Sequence, residues 1–107
     1  MRNQCLFVTD TWAKNQKKIF QPGNAKLAEL HAILSMLKAW CTWTSYQGIL
    51  ECRRACGGLG YSYYSLFSQY LTCVDVECTW EGDNNVLLQQ TGKYLLYLYK
   101  SKMKGNE

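Results

Sequence analysis

Leu27-Ala28-Glu29-Leu30-His31-Ala32-Ile33-Leu34-Ser35-Met36-Leu37-Lys38-Ala39-Trp40-Cys41 decides the fold. Leu27, Leu30, Leu34, Leu37 and Cys41 recur at three- and four-residue steps, the spacing that stacks side chains along one side of an α-helix. The same pattern predicts one long helix from Ala25 to about Ala55, with Asn24 as its cap. Thr42-Trp43-Thr44-Ser45 and Gly48 form a soft stretch inside it, because β-branched residues and glycine lower helix propensity. Gly57-Gly58-Leu59-Gly60 ends it, since glycine reaches positive φ without a steric cost.

Outward from this helix, Gln21-Pro22-Gly23-Asn24 marks a break, and Thr9 to Phe20 reads as a short helix capped by Thr9 or Asp10. On the other side, Tyr61 to Leu71 suits a loop or a short helix equally. Val74 and Val76 alternate with polar neighbours over too short a run to make a strand. A last helix is expected from near Gly82 to about Lys102, with Val86, Leu87, Gln90, Tyr94, Tyr97 and Leu98 on one face. Lysines fill its last turns and complement the negative end of the helix dipole. The fold class is therefore all-α, with two long helices and one short one. The expected division is an N-terminal segment at 1–24, a helical-domain segment at 25–104 and a tail at 105–107. Two or three helices do not close a bundle, so apolar surface is expected to need a partner.

Composition agrees with a folded helical chain. Its 107 residues are 48% hydrophobic and 19% charged, which separates it from disordered sequences, and Pro22 is its single proline. The net charge of +4 comes partly from Lys14, Lys17 and Lys18 and from Lys100, Lys102 and Lys104. Neither cluster forms the basic, aromatic-interleaved stripe of a nucleic-acid surface. No apolar run approaches the ~20 residues of a membrane helix, and the first ten residues hold no secretory core. The six cysteines, Cys5, Cys41, Cys52, Cys56, Cys73 and Cys78, are read as reduced thiols, because free cysteine behaves as a small buried hydrophobe. Cys52, Cys56, Cys73 and Cys78 have spacings within the loose range for zinc, a weaker reading because the first pair lies inside a helix. His31 is expected to be a packed, hydrogen-bonded side chain rather than an acid, base or ligand. Tyr61, Tyr63 and Tyr64 are expected at an interface, which suits the half-wet character of tyrosine.

Two motifs carry chemistry. The first is Glu51-Cys52-Arg53-Arg54-Ala55-Cys56-Gly57-Gly58-Leu59-Gly60-Tyr61, and the second is Cys78-Thr79-Trp80-Glu81-Gly82-Asp83-Asn84-Asn85-Val86-Leu87-Leu88-Gln89-Gln90-Thr91. The glycine cluster follows a helix, not a strand, so it is no dinucleotide fingerprint. In this order, and preceded by Leu30-His31-Ala32, Leu37-Lys38-Ala39-Trp40 and Thr42-Trp43-Thr44, the two motifs resemble the acyl-CoA oxidase family. The resemblance runs from about Leu30 to Leu96. The related dehydrogenases typically lack the Glu-Gly-Asp-Asn run and the Gln-Gln-Thr after it.

The resemblance implies an incomplete helical bundle like the first C-terminal helical domain of those oxidases, and a flavin-dependent oxidation of fatty acyl-CoA to trans-2-enoyl-CoA with release of hydrogen peroxide. It implies Glu81 as catalytic base, with its own N–H helping to hold the thioester oxygen, and FAD contacts at Gly57, Gly58, Asp83 and Asn85. An alpha proton is weakly acidic, so the base must lie close and desolvated; Trp80 and Trp43 are the expected apolar surroundings. A homodimer, or pairing with a full-length subunit, and a peroxisomal location also follow, although Gly105-Asn106-Glu107 is not a Ser-Lys-Leu address. The alternative is a catalytically inert oxidase-like chain that acts as an interaction partner. Leu59 stands where the family usually has histidine, Trp80 where it has tyrosine or phenylalanine, and Gly92-Lys93 where it has Ala-Arg.

Overall fold

The structure is a computed structural model that describes residues 2–19 and 25–105, and the side chains of 6–14 and 25–105. Among the described residues five α-helices follow one another, α1 (Arg2–Ile19), α2 (Ala25–Ala55), α3 (Gly57–Tyr61), α4 (Phe67–Glu77) and α5 (Asn84–Lys104), with a 3₁₀ turn at Tyr63–Ser65 between α3 and α4. No strand occurs among the described residues, so the all-α class expected from the sequence is the observed one. None of these helices is long and apolar enough to cross a membrane.

The helix α2 has the predicted bounds, and the soft stretch does not interrupt it. The Thr42 hydroxyl is satisfied inside it, 3.0 Å from the Lys38 carbonyl and 3.3 Å from that of Ala39. Arg53 and Arg54 occupy the last turn, where cations suit the helix dipole. Past the turn at Cys56, Gly57 adopts φ +57° and stops the helix as expected.

Elsewhere the elements are more helical than predicted. The first helix begins at Arg2, so Thr9 and Asp10 lie inside it and cap nothing; the Thr9 hydroxyl bonds back to the Leu6 carbonyl at 3.0 Å. The break at 21–24, and with it the expected cap at Asn24, lies outside the described residues. The glycine cluster continues as the short α3, and the segment with Val74 and Val76 is α4. Phe67, Leu71, Val74 and Cys78 are its half-buried positions, steps of four, three and four that mark a helical face.

The chain divides into two compact units, 1–37 with 87–107 and 38–86. In the first, the expected leucine stripe is only partly buried. Leu30 and Leu37 are inside, but Leu27 and Leu34 are exposed, and Ala32 and Ser35 are buried instead. The Thr91 hydroxyl on α5 donates to the Ala32 carbonyl at 3.0 Å, beside these small residues. The α5 face is half-buried at Leu87, Gln90, Thr91 and Tyr94, whereas Val86, Tyr97 and Leu98 are exposed.

In the second unit, Gly60 is buried on α3, and a Cβ built there would overlap the Arg53 carbonyl oxygen. The Ser65 hydroxyl donates to the Gly60 carbonyl at 3.0 Å and to that of Ser62 at 2.7 Å, which folds the 3₁₀ turn back onto α3. Two neighbouring glycines thus make opposite demands. Gly60→Ala is expected to cost on the order of 1–3 kcal/mol through overpacking. Gly58, with an ordinary φ and open space around its Cβ, is expected to gain about 0.5 kcal/mol as alanine. Urea unfolding of the two variants beside the parent chain measures both.

Candidate functional site

Glu81 lies in the turn between α4 and α5 and is one of two non-glycine residues at positive φ among those described, the other being Leu66 at φ +62°. Glu81 has φ +56° and Gly82 φ +109°. Glycine adopts such angles freely, but a glutamate there costs about 1–2 kcal/mol, because its Cβ crowds the following carbonyl. Thr79 and Trp80 both donate their N–H to the Val76 carbonyl at 3.0 Å, and Asn84 N–H closes the turn on the Cys78 carbonyl at 3.0 Å. Asp83 then caps α5: its Oδ1 accepts from Asn85 N–H at 2.9 Å and Val86 N–H at 3.4 Å.

A polar network holds this turn against α2. The Lys38 ammonium donates to the Gly82 carbonyl at 2.7 Å and to Asn84 Oδ1 at 2.9 Å. Asn84, with 1% of its surface exposed, donates from Nδ2 to Thr42 Oγ1 at 2.9 Å. Sequence reading placed Lys38, Thr42 and Asn84 inside the motifs but gave them no role. The signal available was a lysine between Leu37 and Ala39, both buried.

Glu81 itself is exposed, and among the described residues its carboxylate has no hydrogen-bond or ion-pair partner and its N–H donates to no backbone carbonyl. The expected apolar surroundings are not built around it by this chain. Trp80 is 51% exposed, its ring N–H spent on Glu77 Oε2 at 2.8 Å, and Trp43 is 39% exposed. An exposed turn at a helix start presents such side chains outward, so desolvation of Glu81 would have to come from whatever covers the turn.

Of the other candidates, Asp83 and Asn85 share the turn with Glu81, Asp83 with one oxygen already engaged. Gly57 and Gly58 sit on a different segment, at the start of α3. Both are exposed, nothing stands within 4 Å of where a Cβ would be, and neither N–H donates to a backbone carbonyl among the described residues. That backbone is open to a bulky polar ligand, which a side chain would obstruct. Arg53 lies beside it, its guanidinium 5.9 Å from the Tyr61 ring centroid.

His31 is exposed rather than packed, because the buried side of α2 turns at Leu30 and Ala32 and leaves position 31 outside. No three His, Cys, Asp or Glu side chains among the described residues come together as metal ligands, so Cys52, Cys56, Cys73 and Cys78 are separate thiols. Tyr61, Tyr63 and Tyr64 are all strongly exposed.

The model of the acyl-CoA oxidase C-alpha1 domain matches residues 1–96. The chain is 38% identical over 99 residues to a peroxisomal acyl-coenzyme A oxidase 1 of Mus musculus, covering 92% of this chain and 15% of that protein. It is 51% identical over 70 residues to the peroxisomal acyl-coenzyme A oxidase 3 of Homo sapiens, covering 65% and 10%. With the acyl-coenzyme A oxidase of Eremothecium gossypii the identity is 40% over 95 residues, covering 89% and 13%. The chain thus spans about 15% of the length of the curated relatives it matches.

The turn should reveal its strain on substitution. Glu81→Gly is expected to stabilise the chain by about 0.5–1 kcal/mol, the relief of positive φ less the added freedom of glycine in the unfolded chain. Asp83→Ala, which removes the α5 cap, is expected to cost about 1 kcal/mol. Thermal and urea melts of both variants check the opposite signs.

Proposed function

Because the chain belongs to the acyl-CoA oxidase family, we propose that Glu81 is the catalytic base for flavin-dependent oxidation of a fatty acyl-CoA to the trans-2-enoyl-CoA, with hydrogen peroxide released. The observation that carries this is a glutamate kept on strained backbone, exposed, with its carboxylate uncommitted. Strain that a glycine would relieve suggests a residue retained for chemistry rather than stability.

In this reading the Glu81 carboxylate takes the proton from the carbon alpha to the thioester. Its uncommitted N–H is a fixed donor for the thioester oxygen, where negative charge develops as that proton leaves. Gly57 and Gly58 would hold FAD by their bare backbone at its diphosphate or adenosine part, and Asp83 and Asn85 would touch it from the cap and the first turn of α5. The flavin, were it bound there, would supply the two-electron oxidation that the chain's own residues cannot. Covering surface that desolvates Glu81 would come from a second subunit, either another copy or a full-length oxidase. The Mus musculus and Homo sapiens relatives named above carry peroxisomal names, which supports a peroxisomal location.

A second reading is favoured by one observation. Leu30, Ala32, Leu37 and Ala39 are the buried hydrophobic residues among those described, whereas Trp40, Trp43, Leu95, Leu96, Tyr97 and Tyr99 are exposed. Trp40 and Trp43, with Thr44, Gln47, Gly48 and Glu51, line an open hollow of about 450 Å³. Exposed apolar surface of this kind marks interaction sites, and an inert oxidase-like chain would act by pairing with a larger oxidase subunit.

Flavin absorbance and acyl-CoA-dependent peroxide production of the purified chain, beside Glu81→Gln, separate the readings. On the first, the chain binds flavin, and Glu81→Gln lowers peroxide production by about 10²–10⁴-fold while flavin content stays unchanged. A colourless, inert chain that co-purifies with a larger oxidase subunit would establish the second.

A further inference from the structure

A lysine on the half-buried side of α2, between Leu37 and Ala39, is expensive to desolvate unless its ammonium is hydrogen-bonded. Lys38 meets that need on the Glu81 turn. It donates to the Gly82 carbonyl at 2.7 Å and to Asn84 Oδ1 at 2.9 Å, and hydrogen bonds from a charged donor are the stronger kind. Asn84 is fixed in turn by Thr42 Oγ1 at 2.9 Å and by its own N–H on the Cys78 carbonyl at 3.0 Å. The strained Glu81 thus lies between two tethered points, Cys78 and Gly82. Among the described residues no ion pair joins Lys38 to Glu81. Such a pair would have occupied the carboxylate; the ammonium grips the neighbouring carbonyl instead and leaves the acid free.

We propose that Lys38 is a positioning residue for Glu81, its ammonium holding the Gly82 carbonyl and Asn84 so that Glu81 stays in the left-handed conformation that exposes its carboxylate and N–H. The inference rests on the reading of Glu81 as the base, but its test needs neither flavin nor substrate. A failure here therefore leaves the peroxide experiment standing, and an inert chain with the turn intact rejects the base reading alone.

The test compares the isotope-labelled chain with Lys38→Met, Lys38→Gln and Thr42→Val by NMR. The HN–Hα coupling and carbon shifts of Glu81 report its φ. Amide exchange at Asn84 reports the closed turn, and exchange within 30–37 reports the rest of α2. Lys38→Met is expected to move Glu81 out of positive φ and to speed Asn84 exchange about tenfold, with 30–37 unchanged. Lys38→Gln, which keeps a donor but loses charge and reach, should do the same. Thr42→Val, which leaves the ammonium in place, should do less. Unaltered Glu81 reporters in Lys38→Met overturn the proposal. So does loss of protection throughout 30–37 in both Lys38 variants, which would make Lys38 a general determinant of the fold.

Discussion

The Lys38 ammonium on the Gly82 carbonyl is the contact on which the candidate site depends. A turn with two successive positive φ values is not a resting shape for a glutamate. A local bond from Asn84 N–H to the Cys78 carbonyl closes it, and the long-range tether from Lys38 is added to that. Lys38 and Gly82 are 44 positions apart in the chain, and Lys38 and Asn84 are 46 apart, so the contact also joins the middle of α2 to the start of α5. Thr42, one helical turn from Lys38, completes the arrangement by accepting from Asn84, so that the oxygen and the nitrogen of that buried amide each have a partner. Polar groups here do what apolar packing does elsewhere, and they do it directionally.

That directionality matters because the apolar core is small. Among the described residues it consists of Leu30, Ala32, Leu37 and Ala39, two of them alanines. Alanine contributes little transfer free energy of its own, and the Ala32 carbonyl accepts from the Thr91 hydroxyl. Many larger side chains, among them Trp40, Trp43, Leu59 and Tyr64, remain exposed. The exposure of Glu81 belongs to the same pattern: the turn geometry is built within this chain, and the carboxylate is left exposed.

Periodicity made the long helices legible. Ala25–Ala55 follows from leucines at three- and four-residue steps and from a glycine stop, and the stop at Gly57 has the positive φ that glycine was expected to supply. Which face is buried was less legible, because a leucine stripe and an alanine–serine stripe both fit the helical repeat, and the choice depends on what packs against them. Leu34 lost to Ser35 for that reason. The helical state of Phe67–Glu77 was hidden by valines whose alternation is too short to distinguish a period of two from one of 3.6.

The candidate site divides along the same line. Glu81, Gly57 and Gly58 stand out because their residue types are special in their local sequence, and the motifs name them. Lys38, Thr42 and Asn84 do not, because each is ordinary for a helix or a helix start and becomes significant only once two distant segments meet. A buried asparagine with 1% exposure and three directed contacts has no sequence signature of its own. The strain at Glu81 was equally invisible, since glutamate followed by glycine before a helix usually suggests an unstrained surface acid. Strain, tether and an uncommitted carboxylate occur on one short turn. Their coincidence makes Glu81 the position where a change of residue separates stability from any role of the carboxylate.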